Sequence, residues 1–295
     1  MISPEKNANE TPTTMTLRVL TLNVEGIEGD ESRQADLRNA IAAINPDLLS
    51  LQEVVRNDSY DQLSQLLGDT GLIGVHDLDL INTQSAGTAL ATRWPASQVV
   101  GQLLPGHPLM PSPNALAAVI PLPIGVNVLF MAVKPYWPLN GEALRCRDAL
   151  AITELESTLR QAAPAIIAGD FDAVPTADCM QFFAGRRVLD GRSTHYLNAW
   201  DVAGDGGPGY TWTTENPGVT KFIDSGLIES GHARRIDHIL VHGPEGHVIV
   251  WGEDKLKVEQ RVRAVITSCE VVFREPPVSD HYGVLAEIEL SRVEP

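Results

Sequence analysis

The stretch AIIAGDFDAVP, residues 165–175, ends an apolar run with two acidic residues, Asp170 and Asp172. The apolar run predicts a buried strand, and strand side chains two positions apart point to the same face. We therefore expect the two carboxylates to lie side by side where the sheet ends. In isolation this pattern is more often a turn, because Asp, Gly and Pro all favour turns. The alternative is a catalytic pair of acids, and the rest of the chain decides between the two.

The composition is that of a globular protein with a strong negative charge. The chain has 295 residues, of which 43% are hydrophobic, and it shows no repeat, so we predict one domain over residues 16–295 after a disordered tail over 1–15. A net charge of -16 disfavours binding of long duplex nucleic acid. It does not exclude a metal-dependent enzyme that acts on phosphate, because divalent cations invert the potential of an acidic pocket.

The cysteines and the apolar runs predict the cellular location. The three cysteines are far apart and form no C-x-x-C pair, which argues against a disulfide framework and a thiolate zinc site. No signal-peptide pattern opens the chain, and no apolar run is long enough to span a bilayer. These features predict a cytoplasmic protein without a membrane span, and we expect a monomer.

Apolar periodicity predicts an α/β or α+β fold with substantial sheets. Helices are predicted at residues 31–44, 59–69 and 141–162. Strands are predicted at residues 17–24, 46–53, 87–95, 126–134 and 165–170, and in the strand-rich last third at 210–214, 235–242, 247–251, 264–273 and 281–290. The proline-rich segment 103–114 is predicted to be a long surface loop.

Polar residues recur where these strands begin or end. Asn23 and Glu25 follow the first strand, Glu53 ends the second, Asp237 begins a later one, and Asp280 stands beside His281. Polar groups at several strand ends converge on one rim of a sheet, which is where ligands bind in such folds. Carboxylates without cysteine suit Mg²⁺ or Mn²⁺. The chain contains neither G-x-S-x-G nor G-x-x-x-x-G-K-[ST], which argues against a serine hydrolase and a P-loop enzyme.

Taken in order, the motifs resemble a known family. The segments LNVEGI, LQEV, GTALATRWP, AGDFDAVP, YTWT, RIDHIL and SDHYG are similar to the signatures of the endonuclease/exonuclease/phosphatase superfamily, which includes DNase I-like and exonuclease III-like enzymes. The resemblance extends from about residue 17 to residue 290. It implies a four-layered α/β sandwich, with two mixed sheets face to face and helices outside, and Mg²⁺-dependent hydrolysis of phosphate esters.

The resemblance also implies roles for single residues. Glu53 matches the principal metal ligand, with Glu25 and Asp280 near the metal. Asp170 matches the acid that positions or deprotonates the attacking water, and Asp237 and His281 match an acid–imidazole pair that faces phosphate. The residues expected to contact substrate are Asn23, Arg147, Trp212 and Asn216.

The chain departs from the family pattern at two positions. Lys134 aligns with a histidine of the family, and Asp172 stands where the family usually has Asn. We predict a metal-dependent phosphoesterase that favours phosphodiesters, either a nuclease or a phosphodiesterase acting on small molecules or lipids. The alternatives are a phosphomonoesterase of the same fold and a degenerate member that binds phosphate ligands without turnover.

Overall fold

The computed structural model describes residues 13–27, 31–81, 86–106, 112–160, 163–242 and 262–292. Its strands are β1 (Thr14–Asn23), β2 (Leu48–Asn57), β3 (Tyr60–Asp61), β4 (Ile73–His76), β5 (Ala86–Thr92), β6 (Gln98–Leu103), β7 (Asn114–Pro121), β8 (Asn127–Lys134), β9 (Ala165–Asp170), β10 (Tyr196–Asn198), β11 (Trp212–Thr213), β12 (Ala233–Arg234), β13 (Asp237–His242), β14 (Val262–Val272) and β15 (Gly283–Arg292). Its α-helices are α1 (Glu31–Ile44), α2 (Gln62–Leu67), α3 (Glu142–Leu159), α4 (Asp178–Phe183), α5 (Ala199–Ala203) and α6 (Thr220–Asp224).

Two mixed sheets form the centre of the fold. Among the described strands, seven form the first sheet, in the order β14-β15-β1-β2-β5-β4 with β3 paired to β2. Six form the second sheet, in the order β10-β13-β9-β8-β7-β6. In each sheet one parallel pair is joined through a helix, β1 to β2 through α1 and β8 to β9 through α3. These crossovers require helices on a sheet face.

The inner faces of the two sheets share one hydrophobic core. Leu17 and Leu48 from the first sheet belong to the same buried cluster as Phe130 and Ile166 from the second. Side chains alternate between the two faces of a strand, so the neighbouring positions of these strands must be covered on the outside.

Helices cover the two outer faces. Leu22 of β1 belongs to a buried cluster with Leu37 of α1, while Met131 of β8 belongs to another cluster with Ile152 of α3 and Phe182 of α4. The order of layers is therefore helix, sheet, sheet, helix. The predicted four-layered α/β sandwich is confirmed.

The second strand differs from its prediction at Glu53. The sequence predicted that β2 ends at Gln52 and Glu53, but it continues to Asn57. The pairing with β5 shifts register between Leu51 and Val54, which is the sign of a β-bulge. Bulges re-aim side chains within a strand that continues, so Glu53 reaches the rim from inside β2 rather than from its end.

The ends of the chain and several loops refine the other predictions. Thr14 and Met15 were predicted to lie in the tail, but they pair with Ser291 and Leu290 of β15. The partner strand supplies backbone hydrogen bonds, and the polar composition of this segment gives no sign of that pairing. The predicted strand at 247–251 and residues 107–111 of the predicted loop lie outside the described residues. None of the described helices has the length and apolar character needed to cross a membrane.

Candidate active site

Three polar residues of the second sheet meet at one edge because of its topology. Lys134 is the last residue of β8, Asp170 is the last residue of the parallel neighbour β9, and Asp237 is the first residue of the antiparallel neighbour β13. Asp170 and Asp237 are partners in the β9–β13 register. All three side chains are buried, so the sheet gathers two carboxylates and an ammonium at its rim.

Asn23 joins this edge to the first sheet. It is the last residue of β1, and its amide Nδ2 donates to Glu53 Oε1 at 2.9 Å and to Asp170 Oδ2 at 3.0 Å. Its Oδ1 accepts the backbone N–H of Glu25 at 3.0 Å. Asn23 is buried and uses these bonds to hold acids of both sheets in register, which is a positioning role in this structure.

Lys134 is enclosed by three carboxylates. Its Nζ lies 2.5 Å from Asp170 Oδ2, 2.6 Å from Asp172 Oδ2 and 3.8 Å from Glu53 Oε1. Burial alone would lower the pKa of Lys134, but the carboxylates of Asp170, Asp172 and Glu53 raise it well above its usual value. Lys134 therefore remains an ammonium through the neutral range and compensates the acids around it.

Asp170 and Asp172 differ in exposure and in proton affinity. Asp170 is fully buried; burial opposes its ionisation, but Lys134 and His281 lower the pKa of this carboxyl below its usual value. Burial and the neighbouring Asp170 raise the pKa of Asp172, which lines the cleft. The structure thus places Asp172, rather than Asp170, in contact with the cleft.

The stretch 170–172 is both a turn and part of the site. Asp170 Oδ1 accepts the backbone N–H of Asp172 at 3.0 Å, and Asp172 adopts a φ of 50°. The two acids are therefore brought together by a turn after β9, not by strand alternation. Both carboxylates nevertheless reach the same Lys134 Nζ.

Three residues at this rim have a left-handed backbone conformation. Of the six described non-glycine residues with positive φ, Glu25, Glu53 and Asp172 have values of 55°, 60° and 50°, and the other three are Asn45, Asp190 and Phe273. The left-handed region is costly for such residues, of the order of 1–3 kcal/mol in strained cases, and is often retained at functional sites. All three line the same cleft.

His281 and Asp237 form the predicted pair. His281 Nδ1 lies 2.9 Å from Asp237 Oδ2, and its Nε2 lies 3.8 Å from Asp170 Oδ2. Burial would lower the pKa of His281, but Asp237, Asp170 and Asp280 raise it well above its usual value. The raised pKa favours the protonated ring, in which Nδ1 donates to Asp237, and His281 lines the cleft.

Asn216 supports the loop that carries His281 and does not line the cleft. Its side chain is fully buried, and Nδ2 donates to the carbonyls of Ser279 and Asp280 at 2.9 and 3.0 Å. A Cβ on Gly218 would lie 2.9 Å from Asp280 Cα, so this turn packs directly against the loop. The expected substrate contact of Asn216 is replaced by a positioning role, because its amide is engaged with backbone.

The structure also separates Arg147 from the other predicted residues. Arg147 is exposed on α3 and does not line the cleft, because it lies on the outer side of a helix whose opposite side faces the sheet. Arg234 lines the cleft instead, and its NH2 donates to the carbonyl of Asp172 at 2.7 Å. The sequence analysis missed Arg234, although it lies three positions before Asp237 in ARRID.

These residues surround a cleft with a volume of about 510 Å³. Its polar end contains Glu25, Glu53, Lys134, Asp172, Arg234, Asp280 and His281. Trp212 lines it as predicted, with its ring centroid 6.4 Å from that of His281. Burial and the nearby Asp280 raise the pKa of Glu25, and Glu25 Oε1 accepts from Lys221 Nζ at 2.5 Å.

The polar end has donors that fit a hard divalent cation. Glu25, Glu53 and Asp280 bring carboxylate oxygens to one cleft, and such oxygens are the ligands that Mg²⁺ and Mn²⁺ prefer. Asp170, Asp237 and His281 also place ligand atoms within 4.8 Å of one another. In that second group His281 Nδ1 is engaged with Asp237, and Asp170 Oδ2 accepts from Lys134 Nζ and Asn23 Nδ2. Among the described residues, only this second group brings three ligand atoms so close together, whereas Glu25, Glu53 and Asp280 face the cleft without forming so compact a set.

Comparison with known proteins places this geometry in context. The sequence model of the Endonuclease/Exonuclease/phosphatase family matches residues 20–281. No curated protein matches the sequence significantly.

Three solved structures illustrate the similarity of fold. An endonuclease/exonuclease/phosphatase from Bacteroides vulgatus is 19% identical, with a TM-score of 0.68 and coverage of 94% of this chain and 100% of that one. TDP2 from C. elegans is 18% identical, with a TM-score of 0.63 and coverage of 92% and 75%. The human Nocturnin catalytic domain, solved with a bound sulfate anion, is 19% identical, with a TM-score of 0.64 and coverage of 94% and 95%.

Proposed function

The chain belongs to the Endonuclease/Exonuclease/phosphatase family, and we propose that it is a phosphoric ester hydrolase that depends on Mg²⁺ or Mn²⁺ and favours phosphodiesters. The observation that carries the proposal is the convergence of Glu53, Lys134, Asp172 and His281 on one cleft at the meeting edge of the two sheets. A cytoplasmic location and a monomeric state stay predictions.

The arrangement supplies the parts that in-line hydrolysis of a phosphate ester needs. Such a reaction needs a positioned water, neutralisation of charge on the phosphate oxygens and help for the leaving oxygen. A cation held by Glu25, Glu53 and Asp280 would supply Lewis-acid stabilisation of the phosphate when bound. His281 and Lys134 would bring positive charge to the phosphate oxygens, and Asp237 would fix the orientation of the imidazole.

Asp170 and Asp172 are the candidates for handling the water. Asp170 is enclosed by Lys134 and Asn23, so its proposed role is to position the groups that meet the water. Asp172 faces the cleft and can contact the water directly. We retain both as catalytic candidates, with the division of roles open to the variants described below.

A panel of esters tests the proposal. Phosphomonoesters, small phosphodiesters, and single-stranded and duplex nucleic acids should be compared with Mg²⁺, with Mn²⁺ and with EDTA. We expect metal-dependent turnover that EDTA abolishes and that is faster for small diesters than for monoesters. Absence of turnover for every ester would reject the hydrolase.

One observation favours the non-catalytic alternative. The ammonium of Lys134 lies among the carboxylates of Asp170, Asp172 and Glu53, where it competes with a metal ion for the same negative charge. A binding protein of this kind would be stabilised by a divalent metal and phosphate ligands without turnover, which the same panel distinguishes when paired with thermal unfolding.

Glu53→Gln is expected to abolish the stabilisation of the fold by Mg²⁺. The change removes a hard carboxylate, and the loss of affinity should exceed the roughly 10–100-fold that loss of an outer supporting hydrogen bond costs. The measurement is Tm against Mg²⁺ concentration, together with calorimetry. Glu154→Gln is the matched control, because the Glu154 side chain is 67% exposed and lies outside the cleft. Unchanged metal affinity in Glu53→Gln would remove Glu53 from the metal site.

Long duplex DNA is expected to be a poor substrate compared with short single-stranded diesters. The net charge of -16 leaves few cations to neutralise a phosphate backbone, so little affinity is gained from counterion release. The measurement is kcat/KM for duplex and single-stranded oligonucleotides of matched sequence at two salt concentrations. Tight duplex binding at physiological salt would contradict this expectation and favour a duplex nuclease.

A further inference from the structure

The cleft has an apolar half that the proposed reaction does not use. We call this half the apolar wall, and it comprises Trp137, Leu139, Trp212, Phe222, Leu227 and Ile228. Trp137, Leu139 and Leu227 are 39%, 53% and 60% exposed. Large apolar side chains exposed together in a concave site mark a place where an apolar group of a ligand binds.

A buried arginine holds the loop that forms one side of the apolar wall. Arg145 of α3 donates to the carbonyls of Tyr136, Pro138 and Leu139 at 3.3, 2.7 and 3.2 Å. Asp148 Oδ2 also accepts the N–H of Tyr136 at 2.9 Å. These bonds hold the loop that carries Trp137, so its exposed ring is presented by a constrained backbone, which lowers the entropy cost of binding.

The other side of the apolar wall starts beside the catalytic histidine. Trp212 packs against Phe222 with ring centroids 5.4 Å apart, and it belongs to a buried cluster with Val219 and Ile236. The same indole is 6.4 Å from the His281 ring. A phosphate held at His281 would therefore place its ester group against aromatic rings.

Resting on the proposed function, we propose that the apolar wall binds the ester group of a small phosphate ester and that this group is a compact aromatic ring. The three aromatic residues favour a planar ring over an alkyl chain, because rings pair in stacked or edge-to-face geometries. The cleft volume of about 510 Å³ lies within the range of pockets for small organic ligands, roughly 300–1,000 Å³.

The chemistry of the wall disfavours a nucleobase in the same place. Beyond the polar end, Asn140 and Lys221 are the described lining residues with polar side chains that are not aromatic, and Lys221 Nζ donates to Glu25 Oε1 at 2.5 Å. A base has several hydrogen-bonding groups on its edges, and burial without partners is costly for such groups. An aromatic ring without polar groups on its edges gives up no hydrogen bonds with water when it enters the apolar wall.

Binding of non-hydrolysable phosphonates tests the proposal independently of turnover. Methylphosphonate, phenylphosphonate and octylphosphonate are titrated calorimetrically into the full chain with Mg²⁺, together with the phosphonomethyl analogue of adenosine 5′-phosphate. We expect phenylphosphonate to bind at least about tenfold more tightly than methylphosphonate, since burial of a ring adds apolar contact area. Trp137→Ala and Leu227→Ala should remove most of this gain and leave methylphosphonate binding unchanged. Val188→Ala, at a residue 63% exposed outside the cleft, should change neither.

Each contrary outcome has one meaning. Equal binding of the methyl and phenyl ligands would overturn the proposal, as would the same gain in Trp137→Ala and Leu227→Ala. Tighter binding of octylphosphonate than of phenylphosphonate would show that the apolar wall prefers an alkyl chain to an aromatic ring. Tighter binding of the adenosine analogue would show that it prefers a nucleotide. Turnover of bis(4-nitrophenyl) phosphate and of the ester panel is measured alongside. Turnover without the phenyl gain rejects the aromatic site alone, and the phenyl gain without turnover of any ester rejects the hydrolase alone.

Discussion

Replacing Asp170 with Asn is expected to lower kcat by about 10²–10⁴-fold, the range associated with loss of a positioned acid or base. The Asp170 carboxylate accepts from Lys134 Nζ and Asn23 Nδ2 and lies 3.8 Å from His281 Nε2. An amide of the same shape removes the negative charge that holds these groups. The measurement is kcat for a small phosphodiester with Mg²⁺, with circular dichroism and urea unfolding to verify that the fold is retained.

The comparison variants give this result its meaning. His281→Ala is expected to lose a similar factor, because the imidazolium that faces the cleft is removed. Asp178→Asn is the control, since the Asp178 side chain is 41% exposed and pairs with Arg187 on the surface. Near-full kcat in Asp170→Asn would exclude Asp170 from the reaction. If Asp172→Asn alone lost the rate, the water-handling role would belong to Asp172, the acid that faces the cleft.

The parts of the fold that the sequence predicted are those governed by local pattern. Helix α1 has the predicted bounds Glu31–Ile44, because its apolar positions recur at helical spacing. Strands β8 and β9 were predictable as apolar runs, and Lys134 and Asp170 could be placed at their ends. Parallel strands joined through a helix end at the same edge, so the proximity of these two residues follows from sequence order.

The parts that the sequence did not predict depend on contacts between distant segments. The bulge at Glu53 arises from pairing between β2 and β5, and no local signal in LQEV distinguishes it from a strand end. Arg147 and Arg145 are two positions apart on one helix, yet only Arg145 is buried. Which of the two faces the protein depends on the rotation of α3 on its sheet, and sequence spacing near a helix start defines this poorly.

Lys134 and Asp172 are the two positions at which the sequence predicts a departure from the family pattern, and in the structure they contact each other. Lys134 Nζ lies 2.6 Å from Asp172 Oδ2. The His and Asn that the resemblance implies at these positions carry no fixed charge, whereas Lys and Asp carry one charge of each sign. The two departures therefore balance electrically, and we infer that each substitution compensates the other.

A double-mutant cycle tests this compensation through the free energy of unfolding. Lys134→Ala leaves buried carboxylates without their cation, at a cost of about 3–5 kcal/mol. Asp172→Asn costs less, because Lys134 keeps Asp170 as a partner. The double variant with Lys134→His and Asp172→Asn should lose less free energy of unfolding than the sum of the two single losses. The difference, which is the coupling energy, should be about 0.5–3 kcal/mol. Urea unfolding of the wild type, Lys134→His, Asp172→Asn and the double variant gives the coupling, and additive effects would show that the departures are independent.

The same cycle predicts a change in the dependence of activity on pH. The carboxylates around Lys134 hold its pKa well above the usual value although burial opposes this, so its charge is constant through the neutral range. A histidine at position 134 loses its charge as pH rises through its own pKa. A histidine whose pKa is raised in the folded state also stabilises the fold below its unfolded pKa, and that stabilisation disappears as pH rises through the folded value.

Lys134→His is therefore expected to keep part of the activity at low pH and to lose it more steeply than the wild type toward alkaline pH. The measurement is kcat/KM for a small phosphodiester from pH 5.5 to 9, values chosen to span the usual histidine pKa of about 6.5. Lys134→His with Asp172→Asn should recover activity at neutral pH, because the added negative charge of Asp172 no longer repels the phosphate. If Lys134→Ala kept wild-type kcat/KM throughout this range, Lys134 would have no part in the reaction, and its ammonium would serve only to neutralise Asp170 and Asp172 in the folded protein.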